Sequence, residues 1–163
     1  LSKISNVPDF CEAVFLMCSF FYICIKNNLL HGDFHESNFF FKKENDKLKL
    51  TVLDFGIVWD IRDKERDLIL SAFDITLTDD ERNNIYLQIF EFFGIFMKNQ
   101  ENIAEQRINV DNLFEYVDMS NVPIKYISFA LWLPQFFYLI KKHQNMTSFL
   151  IKLFDFMHKN HIL

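Results

Sequence analysis

HGDFHESN, residues 31–38, and DFG, residues 54–56, are joined by FFFKKENDKLKLTVL, residues 39–53. The first stretch crowds groups that bind metal or move protons into eight residues. The joining segment reads as a hairpin. Phe39–Phe41 forms a short buried strand, residues 42–47 a solvated turn, and Leu48–Leu53, apolar at Leu48, Leu50 and Val52, a returning strand. The hairpin delivers the chain to Asp54. Of three glycines in the whole chain, Gly32 and Gly56 fall in these two motifs. A sequence this poor in glycine places it where backbone geometry asks for it.

Two carboxylates and an amide brought together in this way suit phosphoryl transfer. That reaction needs metal ions on phosphate oxygens, a carboxylate near the acceptor, and tight positioning. Asp33 and Asn38 are separated by four residues, the catalytic-loop offset, and Asp54 opens the second motif. Asp33 is then the catalytic base or acceptor-orienting acid. Asn38 and Asp54 are oxygen ligands suited to Mg2+.

Outward from this centre the pattern is helical. Val7-Pro8-Asp9 starts a helix that runs to Lys26, apolar on nearly every face and ended by Asn27-Asn28. After Gly56, helices are expected over 63–73, from an N-cap at Thr78 with Glu81 at the capping-box offset to about Phe93, and over 109–117, 124–140 (broken at Pro134) and 147–160. The expectation is one domain, 1–163: a catalytic loop at 31–38, a hairpin at 39–53, the metal-binding Asp-Phe-Gly at 54–56 and a helical remainder over 63–163. The fold class is mainly α with a short β-hairpin (α+β).

Composition narrows the classes. Half of the 163 residues are hydrophobic, 21 are Phe, and Gly and Pro number three each. This favours a buried helical domain over a disordered one. A net charge of −5 and the lack of a basic stripe argue against a nucleic-acid partner. Cys11, Cys18 and Cys24 read as reduced thiols of an intracellular protein. The apolar runs 13–25 and 127–140 fall short of the roughly 20 residues that span a bilayer. Both read as core helices, with peripheral membrane contact left open for the second.

Together the motifs resemble the protein-kinase-like superfamily, and within it the UbiB, or aarF-domain, family of atypical kinases. That family carries a His-Ala-Asp-Pro-His-Pro-Gly-Asn loop, with which His31, Asp33, His35 and Asn38 agree and Gly32, Phe34, Glu36 and Ser37 do not. Ile57-Val58, residues 62–66 and residues 68–73 follow the family's continuation after Asp-Phe-Gly. The resemblance runs from about Phe10 to Gly94. It implies the C-terminal lobe of a protein-kinase-like fold that binds Mg2+ and ATP. Asp33 would be catalytic, and Asn38 and Asp54 would hold metal and nucleotide. His31, His35 and Gly56 would support the site. The implied reaction is ATP hydrolysis or phosphorylation connected with quinone or lipid metabolism, its acceptor a lipid, small molecule or protein.

Gly32 makes the loop His-Gly-Asp, which is similar to aminoglycoside and choline kinases, and a small-molecule phosphotransferase is one alternative. A truncated pseudokinase acting as a binding module is another. No Gly-x-Gly-x-x-Gly and no Val-Ala-Ile-Lys-like strand is present, so the nucleotide-covering N-terminal lobe is expected to be absent and this stretch alone inactive. The first residue is Leu1, which suggests a fragment. The location is then cytoplasmic, or organellar if a targeting segment lies upstream. A zinc reading of His31-x-Asp33-x-His35 has no patterned remote ligand, since His143, His158 and His161 are scattered. Glu36 and Arg66 read as solvated, Trp59 and Trp132 as core, and Lys42-Lys43 as a hairpin tip.

Overall fold

The computed structural model describes residues 10–33, 38–98, 117–123, 127 and 146–163. Its central element is α1, Phe10–Lys26. Ala13, Cys18 and Ile25 on α1 are fully buried, and the helix touches strands and helices on several sides. A helix apolar on nearly every face has little surface suited to water, and described elements on several sides cover most of it.

Asn28 ends the helix with φ +60°, a left-handed conformation that Asn tolerates. β1, Leu29–His31, follows and pairs antiparallel with β4, Val58–Asp60. Asn28 also fixes the far end of that pair. Its carbonyl accepts from Ile61 N–H at 2.8 Å, and its Nδ2 donates to Ile61 O and Asp63 Oδ1. Arg66 donates to Asn28 Oδ1 and Asp63 Oδ1, both at 2.9 Å, and so belongs to this helix junction.

β2, Phe39–Glu44, and β3, Lys47–Val52, form the expected hairpin. The turn is shorter than residues 42–47. Lys42–Glu44 and Lys47 lie in the ladder, and only Asn45 and Asp46, at φ +51° and +60°, make the reversal. Two left-handed residues match the twist of a two-residue hairpin, and Asn and Asp accept that geometry. Charged side chains hid the strand because both of its faces meet solvent at this end.

Helix α2 is Asp63–Ser71 and α3 is Asp79–Phe92. Thr78 and Glu81 form the expected capping box: Glu81 N–H donates to Thr78 Oγ1 and Thr78 N–H to Glu81 Oε2. Buried at the base of α3, Arg82 donates to the carbonyls of Ala72 and Asp74 and to Thr147 Oγ1. It thereby ties the end of α2 to the start of α4, Met146–Lys159. Phe149, Leu150, Leu153 and Met157 are the buried face of α4.

The remainder after 63 is not all helical. β5, Phe96–Met97, pairs antiparallel with β6, Val117–Asp118, so the helix expected over 109–117 does not include Val117. Gly94, at φ +78°, precedes this pair; a Cβ there would lie 2.5 Å from Asn121 O. Residues 109–116, most of 124–140 with Trp132 and Pro134, and His143 lie outside the described residues. Among the described residues the architecture is mixed α+β: four helices and three two-stranded antiparallel sheets. The single hairpin expected from sequence is one of these three.

Candidate functional site

Two ladders bring the motifs together. In the first, β1 pairs with β4 and continues one rung further, where Gly32 N–H donates to Ile57 O at 2.8 Å. In the second, β2 pairs with β3 and Leu53 N–H donates to Asn38 O at 2.9 Å. Asp33 and Asn38 are thus held against the segment that carries Asp54.

Within the loop, Asn38 is buried and its Nδ2 donates to Asp33 O at 2.9 Å and to Asp33 Oδ2 at 3.1 Å. These bonds orient the carboxylate. Asp33 N–H in turn donates to His31 Nδ1 at 3.3 Å. In this contact Nδ1 is the acceptor, which suits the neutral imidazole. Burial lowers the His31 pKa, favouring that state; the Asp33 carboxylate, backbone hydrogen bonding at Leu53 and the Asp54 carboxylate pull the other way.

Asp54 is exposed and stands at φ +56°. A non-glycine residue in this region is uncommon and stores strain. Its Oδ1 accepts from Gly56 N–H at 3.1 Å, a short-range bond that offsets part of that cost. The result is a carboxylate projecting from a tight turn.

An aromatic cluster lies beneath. Phe20 of α1 packs edge-on against His31, Phe39 and Phe55, with centroids 6.2, 6.1 and 6.3 Å away. Phe55 also meets His31 at 5.3 Å. Phe55 remains 57% exposed, so it makes these contacts from the rim. Phe20 is the residue that sequence reading missed. It lay in a helix where almost every residue was apolar, and no pattern marked the one aimed at the loop.

His35 and Glu36 lie outside the described residues. Arg66 pairs with Asp63 and Asp67 at the α1–α2 junction. Trp59 is half-buried against Gly32. Lys42 and Lys49 hold Glu44 between them on the hairpin surface. Among the described residues no group of three His, Cys, Asp or Glu side chains is placed to hold a metal. The set of two carboxylates and one amide has a different composition, and its hard oxygen donors fit Mg2+ better than zinc.

A loop with Asp and Asn five residues apart, pinned by one ladder to the start of an Asp-Phe-Gly turn, is a kinase-like arrangement. Residues 11–87 match the family model of the ABC1 atypical kinase-like domain. Over these residues the chain is similar to that family. The ABC1-like segment covers α1, both ladders, the loop, the Asp54 turn, α2 and the first part of α3. No curated protein and no solved structure matches the chain.

Proposed function

We propose that this ABC1-like segment carries the Mg-ATP centre of an atypical kinase or ATPase. The observation that carries the reading is the double hydrogen bond from Asn38 to Asp33, on a loop laddered to the residue before Asp54. Asn38 and Asp54 would hold Mg2+, which would supply positive charge to stabilise the phosphate when bound. Asp33, steered by Asn38 and His31, would orient the acceptor hydroxyl or water and receive its proton. The neutral His31 supports the loop backbone and leaves Asp33 as the proton acceptor.

The acceptor is a lipid, a small molecule or a protein hydroxyl, or water in the ATPase case. Among the described residues no helix is long and apolar enough to cross a membrane. The three cysteines are free thiols, which favours an intracellular setting.

Asp54→Asn tests the reading. Asn tolerates a left-handed backbone and can still accept from Gly56 N–H, so the change removes charge and little else. In the full-length protein the variant is expected to lose Mg-dependent ATP binding, measured by calorimetry with and without Mg2+. Unchanged Mg-ATP affinity would refute the metal assignment.

A further inference from the structure

Position 32 is the tightest point beside the Asp33 loop. Gly32 is buried, and a Cβ built on it would lie 2.4 Å from Ile57 Cγ2, 2.4 Å from Trp59 Nε1 and 3.0 Å from Trp59 Cδ1. Non-bonded carbons settle roughly 3.5–4.0 Å apart, so these positions belong to Ile57 and Trp59 instead. The indole is rigid, and its backbone is fixed by the Leu30–Trp59 register of the β1–β4 ladder. Its N–H is buried and has no acceptor among the described residues. Shape, and no hydrogen bond from the indole N–H, holds the ring at Gly32.

We propose that Trp59 is a positioning residue for Asp33. With Ile57 it fills the volume that a side chain at position 32 would occupy. That contact sets how far the Asp33–Asn38 loop stands from the Asp54 turn. The route is short: Gly32 N–H is bonded to Ile57 O, and Ile57 follows Gly56, whose N–H is bonded to Asp54 Oδ1. The idea takes its chemical meaning from the phosphoryl-transfer reading of the site, but the contact can be tested without it.

Glycine-selective 15N labelling of the 163-residue chain gives three amide signals, from Gly32, Gly56 and Gly94. Gly56 reports the Asp54 turn. Gly94, bonded to Glu91 O at the end of α3, is the control. Gly32→Ala is expected to move the Gly56 signal and leave Gly94 in place. The triple variant Gly32→Ala/Ile57→Met/Trp59→Ala removes both clashes. It should melt higher than Gly32→Ala alone. A Gly56 signal untouched by Gly32→Ala, or a triple variant that melts no higher than Gly32→Ala, would overturn the proposal.

If Gly32→Ala does not fold, Trp59→Ala in the Gly32 background decides. A shifted Gly56 signal supports the positioning role, and an unmoved one refutes it. Mg-ATP calorimetry on the full-length protein judges the phosphoryl-transfer reading separately, since the Gly32–Trp59 coupling is measured without any ligand.

Discussion

Asn38 binds Asp33 twice through one side-chain amide, at the backbone carbonyl (2.9 Å) and at Oδ2 (3.1 Å). The same residue accepts from Leu53 N–H through its own carbonyl. One buried residue thereby links Asp33, through its side chain, to the segment before Asp54, through its backbone.

Asn38→Ala removes both side-chain bonds and leaves the Asp33 carbonyl without its donor. The expected cost is about 1–2 kcal/mol in urea unfolding, the usual range for a buried hydrogen bond left half-made. Asn38→Asp keeps the shape but sets a carboxylate where Asp33 needs a donor, and should destabilise at least as much. A stability within experimental error of wild type for both variants would show that the pair does not hold the loop.

Arg82 is 1% exposed, and its partners are carbonyls of Ala72, Asp74 and Leu77 and the hydroxyl of Thr147. The guanidinium serves as a multiple donor, closing the end of α2 and reaching α4. Arg82→Met should cost about 2–4 kcal/mol, because it strands several buried acceptors together. Arg82→Lys should recover only part of this, since a single ammonium cannot reproduce the planar fork. Equal stability of the Met and Lys variants, read by thermal unfolding, would count against the multiple-donor account.

Asp46 occupies the second left-handed position of the hairpin turn at φ +60°. Asp46→Gly relieves that conformation and should stabilise the chain by up to about 1 kcal/mol. The Lys43–Asp46 ion pair it removes is exposed and contributes little. A fall in the melting temperature would mean that Asp46 is held by something other than turn geometry.

Glu44 lies between Lys49 and Lys42, and their hydrogen bonds hold its carboxyl down to about 2. A depressed carboxyl stabilises the folded state above its unfolded pKa of roughly 4.3, and that contribution fades as pH falls toward 2. Thermal melts of wild type and Glu44→Gln should therefore differ most near neutral pH and converge in acid. The gap should also shrink in high salt, as expected for a surface cluster. A gap that widens in acid would reverse the sign of this account.

Much of the site was legible in the chain because its spacing is local. Asp33 and Asn38 sit five apart on one loop, and an alternating strand pair must return the chain to its start. The capping box at Thr78–Glu81 and the helix end at Asn28 were readable for the same reason, since each rests on neighbouring backbone geometry. The β1–β4 pair was not. Three residues are too few to show a period, and the partner lies 29 positions away at Leu30–Trp59. Lys42–Glu44 were misread as a turn because both faces of the strand meet solvent there and no alternation marks it.

By itself the sequence singled out the candidate residues Asp33, Asn38 and Asp54, and the hairpin between Asn38 and Asp54. Only the tertiary structure decided what holds them: Asn38 on Asp33, Phe20 beneath His31, and Trp59 in the place of a side chain at Gly32. Hydrogen-bonding types and short-range periodicity are written along the chain. Which bulky ring fills which gap depends on packing between segments distant in sequence, where volume and direction matter and composition carries neither.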